Sequence, residues 1–284
     1  MILHDLMRRL ERLSALDAPG KAVQSAIANA LDPNPALKSA LNGTWLGHPA
    51  HPMLTDIPIG AWTAACALDV VGGKRGRGAA DRLVGLGVLA ALPTAATGGA
   101  NYADFNDART RRVGLVHAAA NDVAIVLFGA SWLARKHGRR WKGRALSLAG
   151  MGAMTVGGYL GGHLSYGLGR GVDHTAWEER PEDWVDAVEE SALPEGKLHA
   201  VDVQGTSVLL FKKAGRIAAL ANTCTHMGGP LDEGQLDDMC VVCPWHGSTF
   251  RLADGGIVRS PATMPQPRYD TRVLGGMVQV KEAR

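Results

Sequence analysis

Residues 1–18 place Leu3, Leu6, Met7, Leu10, Leu13 and Leu16 at helical spacing, with Arg8, Arg9, Glu11 and Arg12 on the other side. That pattern predicts an amphipathic helix. It has no continuous apolar core and no cleavage-like site, so it does not read as a signal peptide. Pro19-Gly20 is expected to stop it, a second short helix is expected over 21–31, and Pro33 and Pro35 lead into an irregular segment. Apolar stretches then run over about 53–73, 83–100, 113–134 and 145–166. About 20 apolar residues are needed to span the hydrocarbon core. The third and fourth stretches meet this cleanly. The second is short and holds Pro93, and the first, with Asp56, Pro58 and Asp69, is the weakest. The alternative is a soluble all-α domain with an Ala-rich core. Four such stretches separated by short basic loops favour four spans. Small residues in the last (Gly152, Ala153, Gly157, Gly158, Gly161, Gly162) would let it approach its neighbours closely.

Composition changes this picture little. The net charge of +3 hides a segregation of Lys and Arg into the loops. No aromatics are interleaved with those charges, so nucleic acid is not an expected partner. Four cysteines are too few for a secreted disulfide scaffold. Cys66 and Cys240 read as buried core thiols. Gly85-x-Gly87-x-x-Ala90 imitates a dinucleotide fingerprint, but it lies inside an apolar helix with no preceding strand.

The chemistry is carried by Cys224-Thr-His226, sixteen residues, then Cys243-Pro-Trp-His246, each pair followed by glycine. Two thiolates and two imidazoles on two short loops can ligate a [2Fe–2S] cluster with both Cys on one iron and both His on the other, which is the Rieske pattern. A structural zinc uses the same ligand types, although its pairs usually run C-x₂₋₄-C and H-x₃₋₅-H.

From about Trp184 to Lys281, through CTHMGGPLDEG, CPWHGSTF, Asp254-Gly255-Gly256 and Ser260-Pro261-Ala262, the chain resembles the ferredoxin-like branch of the Rieske family. The resemblance implies a small all-β domain with Cys224 and Cys243 on one iron and His226 and His246 on the other. High-potential members join an extra Cys in each loop as a disulfide; here Gly229 and Trp245 stand there. Of the Ser and Tyr those members place near the cluster, Ser248 matches the first and Phe250 replaces the second. Fewer hydrogen bonds to the sulfurs imply a low-to-middling potential. The stretches GHPAHPMLTDIPIGAW, GLVHAAAN and GYLGGHL, within about residues 40–175, resemble a bacterial four-helix membrane family of unknown function found fused to Rieske domains.

The expected fold is therefore multidomain: N-terminal amphipathic helices over 1–40, an all-α four-helix transmembrane bundle over 41–175, and a small all-β Rieske domain over 176–284. Alternating spans put His48, His51, His117, His163 and His174 at one end of the bundle, with Asp56 and Asn121 nearby. Intramembrane ionisable residues are functional candidates. A pair of imidazoles, His117 and His163, could ligate haem b, with His48 and His51 as alternates or as parts of another metal site. The plainer alternative is separate histidines, each hydrogen-bonded at the headgroup boundary.

These readings predict a protein of the bacterial cytoplasmic membrane that carries single electrons through the cluster. The partners would be a redox protein, or a quinone or redox centre in the bundle, together with membrane lipid. It would be an oxidoreductase component, since no histidine follows His246 to build an oxygenase iron site and no hydrolase motif is present. The alternative is a membrane-anchored ferredoxin or redox sensor whose bundle is only an anchor. Loops opposite the histidines carry the denser Lys and Arg, which places them in the cytoplasm and the Rieske domain outside. The missing disulfide argues for a reducing compartment instead.

Overall fold

The computed structural model describes residues 2–283. The chain divides into two compact units. One comprises residues 1–34 and 49–170, and the other comprises 35–48 and 171–284.

The first unit is helical. Helix α1 (Ile2–Arg12) buries Met7 and leaves Leu3 and Leu6 exposed. Pro19-Gly20 does not end this helix. The break falls at Leu13, and α2 (Asp17–Leu31) carries Pro19 in its first turn, where a missing N–H costs nothing. Four long helices follow: α4 (Ala50–Val71), α5 (Arg77–Ala103), α6 (Ala108–Lys136) and α7 (Arg140–Gly162). The intervening α3 (Pro35–Asn42) belongs to the other unit; it opens on Pro35 and replaces the irregular segment expected there.

Three of these helices, α4, α5 and α6, are long and apolar enough to cross a membrane. The third stretch is borne out as α6, the first and second qualify despite their prolines and acids, and the fourth, α7, falls short. Its glycines add almost nothing to hydropathy, while Asp56 and Asp69 are the charges inside α4. Pro93 does not interrupt α5: Thr97 Oγ1 donates to Pro93 O at 3.2 Å and Thr94 Oγ1 to Ala90 O at 2.9 Å, satisfying carbonyls near the proline. Asp107 caps α6 by accepting from the Thr110 N–H at 2.7 Å.

Helix α7 returns along α6 through a short loop. Gly143, Gly150 and Gly157 of α7 meet Arg135, Phe128 and Asn121 of α6. Both series repeat every seven residues, the period of a left-handed seam. An added Cβ at Gly150 would stand 2.8 Å from the Phe128 ring, so close approach requires glycine there. Phe128 in turn stacks on Trp62 of α4, with centroids 4.2 Å apart.

The second unit is built on two antiparallel sheets. Strands β1 (Val185–Glu189), β2 (Leu198–Val203), β3 (Thr206–Lys213), β4 (Arg216–Ala221), β9 (Arg268–Leu274) and β10 (Met277–Glu282) form one, in the order β1-β10-β9-β4-β3-β2. Strands β5 (Gln235–Asp237), β6 (Cys240–Val242), β7 (Thr249–Arg251) and β8 (Ile257–Arg259) form the other in sequence order. Leu209, Leu220, Leu231, Val241, Phe250 and Leu252 pack in a core that also buries Cys224 and Cys243.

Candidate metal centre

The loop after β4 carries Cys224 and His226, and the loop between β6 and β7 carries Cys243 and His246. The two loops fold alike. Gly228 N donates to Cys224 O at 2.8 Å and Gly247 N to Cys243 O at 3.0 Å; Cys224 N donates to Gly229 O at 2.9 Å and Cys243 N to Ser248 O at 2.8 Å. Gly228 and Gly247 have φ of +76° and +75°, the left-handed region that glycine enters without strain. These turns aim amides at the sulfurs: those of His226 and Met227 at Cys224, and those of Trp245 and His246 at Cys243.

The structure brings the four sequence-predicted donors together as two like pairs. The thiols hydrogen-bond to one another and are buried. That bond draws the Cys243 thiol down to about 6 against the opposing effect of burial, with the two loop amides helping. The same bond, then burial, pushes Cys224 up. A metal bound there would take both sulfurs as thiolates. The imidazoles of His226 and His246 stand 4.7 Å apart at 85° and are half-buried. Among the described residues, no three His, Cys, Asp or Glu converge on a point that could hold one metal ion. Sulfurs on one side and imidazoles on the other suit the donor set of a two-iron cluster better than one tetrahedral zinc. At Gly229 an added Cβ would lie 2.9 Å from Cys243 Sγ, so glycine keeps that sulfur's surroundings open.

Ser248 is buried, and its Oγ accepts from the Ala262 N–H at 3.0 Å. Phe250 is fully buried in the core. Cys66 is buried as expected, whereas Cys240 is half-buried, on the edge of its short strand. Sequence reasoning missed Gln266. Its buried amide donates to Ala221 O at 2.8 Å and to Thr223 O, and accepts from Thr225 N at 3.1 Å, tying the first loop to the segment before β9. A lone glutamine between prolines gives no signal in one sequence.

The other histidines are dispersed. His48 lies in the second unit and is exposed. His174 also lies there, with its N–H donating to Thr225 O at 3.1 Å, against the first loop. His163, at the start of a π-helical turn after α7, donates from Nε2 to Glu11 Oε1 at 2.7 Å. His51 and His117 do meet, with ring centroids 6.3 Å apart. His51 is the second residue of α4 and not a flanking loop residue. His117 lies nine residues into α6, about 14 Å along its axis and deeper than one turn.

A β unit with paired sulfur and imidazole loops, joined to apolar helices, defines a membrane iron–sulfur protein of the electron-carrying kind. The chain belongs to the Rieske [2Fe–2S] family, whose domain matches residues 183–270; residues 47–174 match the family described as predicted membrane protein, DUF2231. It is 31% identical over 99 residues to the ferredoxin component of a naphthalene 1,2-dioxygenase system from Pseudomonas aeruginosa, covering 35% of this chain and 95% of that one. It is 30% identical to human apoptosis-inducing factor 3 over 37% of this chain and 18% of that protein. Among solved structures it is similar to the ferredoxin of carbazole 1,9a-dioxygenase from Nocardioides aromaticivorans, at 26% identity and a TM-score of 0.34, over 35% of this chain and 98% of that chain.

Proposed function

We propose that this membrane-bound electron carrier holds its [2Fe–2S] cluster with Cys224 and Cys243 on one iron and His226 and His246 on the other. The observation that carries the reading is the segregation of the donors: hydrogen-bonded buried sulfurs on one side, half-buried imidazoles on the other. Bound there, the cluster accepts and returns one electron. The amides of His226, Met227, Trp245 and His246 favour the added negative charge, and the Ser248 hydroxyl tunes it. The histidine side is the exit. Beside it Trp245 is 52% exposed, an apolar surface on which a redox partner protein would dock. Relatives named as ferredoxin components of dioxygenase systems support a protein partner of that kind.

The three long apolar helices support a carrier held in the membrane, with lipid around them. Helix α7 packs along α6, which supports its crossing with α6 as a fourth span. The density of Lys and Arg in the α4–α5 and α6–α7 loops favours the cytoplasm for that end of the helices. A quinone or a second redox centre in the helices is then the membrane-side partner. The test is Cys243→Ser in the full chain: loss of iron and acid-labile sulfide supports the ligand assignment, and unchanged content overturns it.

A further inference from the structure

The cluster leaves His51 and His117 unused, and their surroundings prepare both for a metal. His51 Nδ1 lies 2.9 Å from Thr94 O of α5, and His117 Nδ1 lies 2.8 Å from Gly157 O of α7. A carbonyl only accepts, so each Nδ1 carries the ring proton and each Nε2 keeps its lone pair. A backbone carbonyl on the distal nitrogen is the usual support of a metal-ligating histidine. Asn121 Nδ2, anchored on His117 O at 2.9 Å, lies 3.4 Å from Nδ1 and 3.3 Å from Nε2. Being nearly equidistant from both nitrogens, it stands off the Nε2 lone-pair axis.

The spacing decides between two uses of such a pair. A direct N–H···N bond would bring the ring centroids to about 5 Å. They stand 6.3 Å apart, at 80°. Two imidazoles on opposite faces of one metal need about 2 Å of bond on each side plus the ring radius, which sets their centroids roughly 6 Å apart. The pair offers two donors, and among the described residues no group of three or more His, Cys, Asp or Glu could hold a metal ion. A bare divalent ion takes three or four protein ligands. A haem brings its own equatorial nitrogens and asks the protein for two axial ones. The neighbouring helices fit the rings closely: an added Cβ at Gly98 would lie 2.7 Å from His51 Cε1, and one at Gly161 would lie 3.0 Å from His117 Cε1.

We infer that His51 and His117, from α4 and α6, are the axial ligands of a haem b iron, oriented by Thr94 O and Gly157 O. The site replaces the expected pair of His117 with His163, whose Nε2 proton is committed to Glu11. It deepens the electron-transfer reading on which it rests, by giving the bundle end a one-electron centre of its own.

The test measures haem b by its pyridine haemochrome, and acid-labile sulfide in the same sample, on full-length detergent-solubilised protein from haem-replete cells. Haem is expected in the wild type and in His163→Ala, and is expected to be lost from His51→Ala and His117→Ala with sulfide retained. His117→Met is expected to keep haem with shifted bands, which separates ligand exchange from misfolding. Wild-type protein with sulfide but no haem, or full haem in both alanine variants, overturns the inference and leaves the cluster reading standing. Haem without sulfide supports the site and sinks the cluster reading instead.

Discussion

Gly228 and Gly247 occupy the same place in two loops of different sequence, with φ of +76° and +75°, and each donates to the carbonyl of the cysteine four residues before it. The two positions differ in one respect. An added Cβ at Gly228 meets His174 at 3.6 Å, whereas at Gly247 it meets nothing within 4 Å. Gly247→Ala therefore isolates the backbone cost of a left-handed non-glycine residue, about 1–2 kcal/mol. Chemical denaturation of the metal-loaded protein should show that loss. A change within measurement error would mean that the turn relaxes, and that the matched geometry is not required for binding.

Arg135 is wholly buried between Asp69, Asp81, Ser131 and Ser147. Removing one member of a buried ion pair costs about 3–5 kcal/mol, while replacing the set with apolar residues of similar volume is far cheaper. Arg135→Met alone should lower the melting temperature in detergent sharply. Adding Asp69→Leu to it should recover part of the loss. Strictly additive losses would show that the two side chains do not act as a pair.

How much was legible follows the range of each interaction. The cluster loops could be read because their donors are local, and glycine is required within each loop. The apolar stretches could be read because hydropathy is a property of single residues. Arg135 could not: on sequence it belongs to the basic loop after α6, and only the fold brings it to Asp69 of α4. Which histidines of the set meet could not be read for the same reason. Helix ends set depth along the membrane, but the partners of His163 and His51 are Glu11 and Thr94, far away in the chain. Pro19 and Pro35 were misread because proline opens a helix as readily as it closes one.

Gln266 makes its contacts through both ends of one side chain. Gln266→Ala leaves Ala221 O, Thr223 O and Thr225 N without this partner, and each buried group so stranded costs about 1–3 kcal/mol. The variant should bind cluster poorly and unfold at lower denaturant, while Gln266→Glu, which keeps the acceptor, should retain more cluster. Equal cluster content in the two variants would argue against a positioning role.

Ser248 Oγ accepts from Ala262 N, so its own hydrogen is available to a sulfur of the cluster. Ser248→Ala removes that donor and should lower the reduction potential by on the order of 40 mV, the one-electron equivalent of a hydrogen bond of about 1 kcal/mol. The same change leaves the Ala262 amide stranded, so some stability is lost as well. Redox titration of both proteins separates the two effects. A lower stability with an unchanged potential would assign Ser248 to the fold alone.

Glu11 joins α1 to the end of the bundle through His163 at 2.7 Å and Arg109 at 2.9 Å. Burial raises its carboxyl, and the bonds to His163 and Arg109 more than reverse this, leaving it below its ordinary value of 4.5. A carboxyl depressed by folding contributes stability that is fully present above its unfolded value and is lost as pH falls through the folded one. The melting temperature of the wild type should therefore exceed that of Glu11→Gln above the ordinary carboxyl value, and the two should converge as pH falls below it. A margin that persists undiminished below the ordinary carboxyl value would mean that the charge of Glu11 contributes nothing to the contact.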